Sequence, residues 1–219
     1  MVIKEYNDRH TDAESNHLKL QQEAAYEARV IEKLRDNPGI PLLFGVMLKQ
    51  KPVSLVLQFH GDGMESNTLY KAATRREITE IGQWKAIICK ISDALQHIHD
   101  REFIRNDHKS NNVVLEKDAS LQVNPVIIDF GKSVLAAKAK KPKAKPLCVR
   151  GQYANSFISP ELVNGTGKPS VTTDVFALCF MIRSLYAILK FKIPAIAEKG
   201  LDHSPENRPS IISIKQSFQ

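Results

Sequence analysis

The chain of 219 residues is 42% hydrophobic and 25% charged, the balance of an ordinary globular protein with one large domain or two small ones. Three scattered cysteines, Cys89, Cys148 and Cys179, give neither a disulfide framework nor zinc-ligand spacing, and the longest apolar run, Val175 to Ile182, is far below the roughly 20 residues of a membrane helix. Lys4, Glu5, Asp8 and Arg9 break any early apolar stretch that could serve as a signal peptide, so a soluble protein of the cytoplasm or nucleus, without a membrane partner, is expected.

Met1-Val2-Ile3-Lys4 reads as a short strand ending on a lysine. From Gln22 to Leu34, Ala24, Ala25, Ala28, Val30, Ile31 and Leu34 recur at helical spacing around Glu27. Leu42 to Leu48 and Val53 to Leu57 are two apolar runs joined by Lys49-Gln50-Lys51-Pro52, the pattern of a hairpin. Gln58-Phe59-His60-Gly61-Asp62-Gly63 then forms a glycine-punctuated connection. From Trp84, the positions Ile87, Ile88, Ile91, Leu95 and Ile98 predict a strong amphipathic helix. His97 and His99 on it are two residues apart, on different faces, and read as structural or surface residues.

The next stretch, Arg105-Asn106-Asp107-His108-Lys109-Ser110-Asn111-Asn112, carries the chemistry. It holds an acid, a lysine two residues on and an asparagine five residues on. After a hairpin expected from Val113 to Val126, Ile127-Ile128 deliver a second acid in Asp129-Phe130-Gly131. Phosphoryl transfer needs an acid to orient and deprotonate the attacking hydroxyl, a cation near the transferring group and oxygen ligands for Mg²⁺. Asp107, Lys109 and the pair Asn112 with Asp129 fit those needs in that order.

Beyond Asp129 the chain turns basic. Lys132, Lys138, Lys140, Lys141, Lys143, Lys145 and Arg150 occur with no acid before Glu161, so much of the +7 net charge belongs to one segment. Its polar, aperiodic composition predicts a mobile stretch from Lys132 to Ser159. Lysines among proline and alanine without interleaved aromatics make nucleic acid an unlikely partner. Asp174 to Tyr186 is helical and largely apolar.

The Asp107 loop and Asp129-Phe130-Gly131 together resemble the catalytic loop H-R-D-L-x-x-x-N and the D-F-G motif of protein kinases. Further landmarks follow in order. Lys4 matches the lysine of V-A-I-K and Glu27 its helix partner; Ser159-Pro160-Glu161 resembles A-P-E; Pro205 to Ser210 resembles the late motif whose arginine pairs with that glutamate. The resemblance implies an α+β, bilobal fold in a single domain over 1–219: a partial N-lobe at 1–57, a hinge at 58–66 and a mainly helical C-lobe at 67–219, with an activation segment at 129–161. It implies that Lys4 and Glu27 serve the ATP phosphates, that Leu57 sits at the gatekeeper position with Gln58, Phe59 and His60 lining the hinge, and that Asn112 and Asp129 hold Mg²⁺. Asp107 would be the catalytic base and Lys109 the charge-offsetting cation, on a Ser/Thr protein substrate. An Arg208 to Glu161 salt bridge and an Asp174 brace on the catalytic loop are implied too.

Three departures stand out. No G-x-G-x-x-G occurs in these residues, which resembles an N-terminally truncated kinase and predicts an open sheet edge with exposed apolar surface. Arg105 and Asn106 replace the family His and Arg. A buried Arg105 must find a polar partner or point outward, and uncharged Asn106 cannot pair with a phosphorylated segment, so activity independent of phosphorylation at Ser133, Tyr153, Ser156 and Ser159 is expected. The stretch from Lys190 to Leu201 is short for a substrate-docking helix. The alternative function is a pseudokinase or contact-signalling module that binds ATP weakly or not at all.

Overall fold

The computed structural model describes residues 1–219 apart from 8–12, 62–64, 119, 147–148, 150–151 and 153–155. Cys148, Arg150, Tyr153, Asp62 and Gly63 therefore lie outside the described residues. Strands β1 (Val2–Tyr6), β2 (Leu43–Met47) and β3 (Val53–Leu57) form an antiparallel sheet in the order β1-β3-β2, with Lys4 opposite Leu55. The central strand buries Val53, Leu55 and Leu57. Helix α1 (Ala13–Leu34) lies against this sheet through Ala24, Ala28, Ile31 and Leu34, spaced so that all four share one face. It starts well before Gln22, because apolar periodicity marks only the buried part of a helix; the polar early turns carry helix formers such as Leu18, Lys19 and Leu20 that leave no such stripe.

The expected open edge is present. Among the described residues strand β1 pairs only with β3, and Ile3, Phe44 and Val46 on the two outer strands are 52%, 58% and 40% exposed.

Beyond β3 the chain is mainly helical. Helix α2 (Leu69–Thr74), capped by Thr68 after the short strand β4 (Asn67–Thr68), leads to α3 (Ile81–Asp100), which buries Trp84, Ile87, Ile88, Ile91, Leu95 and Ile98. Strand β5 (Phe103–Ile104) follows, and then the hairpin of β6 (Val113–Lys117) and β7 (Val123–Ile127), in register from Val113 opposite Ile127. The 132–159 stretch is less irregular than its composition predicts. Val134–Leu135 forms β8, paired with β5; Ala136 N–H donates to Glu102 O at 2.8 Å, and Lys145 N–H to Val163 O at 2.9 Å. A two-residue strand whose partner is distant in sequence leaves no periodicity to read.

After α4 (Pro160–Val163), helix α5 (Val171–Leu189) begins at a capping box in which Ser170 Oγ accepts from Thr173 N and Thr173 Oγ1 accepts from Ser170 N. By length and a mean hydropathy of 1.5, α5 is long and apolar enough to cross a membrane. Its Val175, Leu178, Cys179, Ile182 and Leu185 are spent in the protein core instead. Helices α6 (Ala195–Lys199) and α7 (Ile211–Gln216) close the chain, the former packing on α5 and the latter on α3.

Candidate active site

The 105–112 loop is held from below. Asp174, at the start of α5 and 1% exposed, accepts hydrogen bonds from Arg105 N at 2.7 Å and Asn106 N at 2.8 Å, while His99 Nε2 lies 2.8 Å from its Oδ2. An acid near a helix N-terminus is common. Here it also fixes two consecutive backbone amides, and Asn106 between them adopts a left-handed φ of 59°, which asparagine tolerates better than most residues. His99 is thus structural, and His97 Nε2 lies 3.2 Å from Leu34 O.

Above that brace sits Asp107, whose side chain is nearly buried. Lys109 Nζ lies 3.2 Å from its Oδ2 and Lys132 Nζ 3.5 Å. Asn112 Nδ2 donates to Asp107 O at 3.0 Å and to Oδ2 at 3.1 Å, so the amide is oriented with its nitrogen inward and its oxygen turned away.

The second group comes from three remote segments. Lys4 Nζ donates to both Glu27 oxygens at 2.8 Å and to Asp129 Oδ1 at 2.7 Å. Glu27, fully buried on α1, also accepts from Tyr6 OH and, at 2.9 Å, from Phe130 N. Four hydrogen bonds from three donor groups satisfy one buried carboxylate, as its burial requires. Asp129 takes a left-handed φ of 64° to turn its carboxylate toward Lys4. Burial pushes that carboxyl up, but the hydrogen bond and charge of Lys4, with Arg105 and Lys109, outweigh it and hold the acid below its ordinary value. Burial and the adjacent Glu27 push the Tyr6 phenol upward, so Tyr6 stays a donor.

Arg105 resolves its problem by going inward. It is fully buried, donates from Nη2 to Ile128 O at 2.6 Å and lies 4.9 Å from the Phe130 ring centroid. Its Nε and Nη1 have no protein partner. Burial pulls its pKa down, while the nearby Asp129, Asp107, Asp174 and Glu27 carboxylates oppose that and keep the guanidinium charged. Lys4, Arg105, Lys109 and Lys132 thus face four carboxylates across one centre. His108 is buried with both ring nitrogens unpartnered.

This assembly of an acid flanked by lysines, an oriented asparagine and a lysine shared by two carboxylates agrees with the broader match. A family model described as "Protein kinase domain" matches residues 1–217. The chain belongs to the protein kinase family. It is similar to Sperm motility kinase 3A of Mus musculus, 27% identical over 74% of this chain and 29% of that protein. Death-associated protein kinase dapk-1 of Caenorhabditis elegans is 29% identical over 69% of the chain and 10% of its own length. CBL-interacting serine/threonine-protein kinase 18 of Arabidopsis thaliana is 27% identical over 77% and 29%. The chain matches less than a third of the length of each of these three relatives.

Elsewhere in the kinase, Arg208 Nη1 and Nη2 grip Glu161 bidentately at 2.7 and 2.9 Å, as the resemblance implies. Burial raises the Glu161 carboxyl, but the Arg208 hydrogen bonds outweigh it and leave the acid depressed. The connection after β3 is held by its own contacts. Leu57 is buried at the strand end, Gln58 N donates to Leu42 O at 2.8 Å, and Phe59 is half-buried. His60 Nδ1 lies 2.8 Å from Glu116 Oε2, and its carbonyl accepts from Ser66 Oγ. Ser133 and Ser159 are buried, and Asn106 Nδ2 donates to Lys132 O at 3.2 Å.

Two residues escaped the sequence reading. Tyr6 carried a signal, being two residues from Lys4 and so on the same face of a strand. Lys132 was counted only as part of the basic run, because nothing local distinguishes a lysine that folds back on an acid.

Proposed function

We propose that this kinase transfers the γ-phosphate of ATP to Ser/Thr hydroxyls of protein substrates with Mg²⁺. The observation that carries the reading is the convergence of Lys4, Glu27 and Asp129 in one bonded group beside Asp107, Lys109 and Asn112. The donor chemistry fits the two cofactors. Asn112 Oδ1 and Asp129 Oδ2 have no partner among the described residues and are the hard oxygen ligands that Mg²⁺ prefers, and Lys4 is partly exposed and would be available to a phosphate. Bound there, Mg-ATP supplies the phosphoryl group and the metal's charge.

Asp107 is placed to orient the substrate hydroxyl and would accept its proton in a transfer that releases ADP. Lys109 and Lys132 offset the negative charge that accumulates beside it, and Glu27 fixes the position of Lys4. Ser/Thr specificity is supported by Lys109 two residues after the base and by the similarity to CBL-interacting serine/threonine-protein kinase 18. Asp107→Asn keeps the size and the Asn112 contact but removes the base, so transfer to a protein substrate should fall by about 10²–10⁴-fold. Undiminished transfer in a radiolabel assay would refute the assignment.

A contact-signalling pseudokinase remains the second reading, resting on the lack of a G-x-G-x-x-G within these 219 residues. A thermal shift with millimolar Mg-ATP separates the two: stabilisation favours the enzyme, and none favours the contact protein.

A further inference from the structure

A cavity of about 490 Å³ lies between the catalytic loop, residues 132–145 and 157–162, and the start of α5. That size suits a few side chains of a bound peptide better than it suits water alone. Lys132, Lys138, Lys140 and Lys145 contribute to its wall, while Phe157, Ile158 and Leu162 add apolar surface. Its acids are Asp107 and Asp174, and both are already engaged, the first by Lys109, Lys132 and Asn112, the second by two backbone amides and His99. Lys138 and Lys140 are exposed and have no acidic partner among the described residues. His108 also lies in the wall, buried, with both ring nitrogens lacking a partner.

We infer that this cavity binds anionic side chains of the protein substrate, so that the kinase selects acceptors embedded in acidic sequence. The inference rests on the proposed transfer reaction and names its substrate class. A segment with its hydroxyl at Asp107 runs its neighbouring residues along a wall of four lysines. The 130–160 stretch itself contains no acid, and although Lys132 is paired with Asp107, Lys138 and Lys140 on that wall have no acidic partner among the described residues. Acidic flanks gain attraction there and basic flanks meet repulsion, the usual origin of charge selectivity. The apolar patch accommodates one uncharged side chain among the acids.

Aspartate and glutamate or phosphoserine could supply the anion, so both belong in the test. Phosphatase-treated protein is titrated with fluorescent short peptides whose flanks are Asp/Glu-rich, phosphoserine-bearing, neutral or Lys/Arg-rich. Each carries Ala at the acceptor site, and no nucleotide is present. The acidic peptides should bind at least about tenfold tighter than the basic one, the difference shrinking with salt. In the double variant Lys138→Glu/Lys140→Glu the preference should invert, with Lys138→Gln/Lys140→Gln intermediate. Circular dichroism verifies that both variants fold. Equal binding of acidic and basic peptides, an unchanged preference in the charge-reversed variant, or equal competition by single-stranded DNA of the same charge overturns the inference. Serine versions of the peptides with Mg-ATP separate it from the transfer reaction. Selective binding with no transfer sinks the kinase reading alone, and transfer without selectivity sinks this one alone.

Discussion

His108 offers the sharpest test of how the catalytic loop is packed. It is 1% exposed and neither ring nitrogen finds a partner, so the folded protein must hold it neutral. Burial, reinforced by the positive charge of Arg105, lowers its pKa from 6.5 to about 4. As the pH falls below about 6.5, the unfolded chain takes up a proton that the folded one refuses until about pH 4, so stability is lost over that window as pH drops. A shift of that size corresponds to about 3 kcal/mol, at about 1.4 kcal/mol per pH unit of displacement. His108→Leu removes the titrating group and relieves two desolvated nitrogens, which should stabilise the protein by about 1–3 kcal/mol even at neutral pH. Urea unfolding of both proteins at neutral and mildly acidic pH reads the difference directly. The gap between variant and parent should widen by roughly 2 kcal/mol from pH 7 to pH 5. Parallel stability curves would show that His108 finds a partner or water on protonation, and the reasoning would fail.

Three further outcomes follow from the same geometry. Asp174→Asn removes the charge and turns an amide nitrogen against one of the two backbone N–H groups, and should cost about 3–5 kcal/mol in urea unfolding; a loss under about 1 kcal/mol would mean that the brace is dispensable. Glu161 has a depressed pKa, so its stabilisation is complete above the ordinary glutamate pKa and disappears as pH falls through the lower folded value; Glu161→Gln should be less stable near neutrality and flatter on the acid limb, and an unaltered acid limb would contradict this. Tyr6→Phe deletes one of the three donor groups to Glu27 and should weaken Mg-ATP binding about tenfold in a thermal-shift titration, whereas unchanged affinity would leave Tyr6 without a role.

Much of the centre was legible because its residues answer local chemical demands. Asp107, Lys109 and Asn112 sit within six residues, and their roles need no knowledge of the fold. Lys4 with Glu27, and Arg208 with Glu161, became readable as opposite charges at landmark positions. Arg105 was only half legible: the need for a polar partner followed from its charge, but burial over Phe130 depends on a cluster of carboxylates drawn from four segments. The pairing of β8 with β5 and the fold-back of Lys132 onto Asp107 are tertiary events with no local cause. The early starts of α1 and α5 were missed because apolar spacing records burial, while helix propensity and the Ser170 cap act beyond the buried stripe.

The position of Lys4 on β1 has a kinetic meaning. Among the described residues strand β1 is attached to the sheet along one side only, by five residue pairs, and it carries both Lys4 and Tyr6. Local opening of this one strand, far short of global unfolding, would remove two of the three donor groups to Glu27 at once and release Asp129. The fraction of molecules with β1 closed then scales the apparent nucleotide affinity, so a partner or ligand that clamps this strand would raise affinity without touching any catalytic group. Hydrogen exchange at the amides of Ile3 to Glu5, followed as Mg-ATP is added, would measure that fraction.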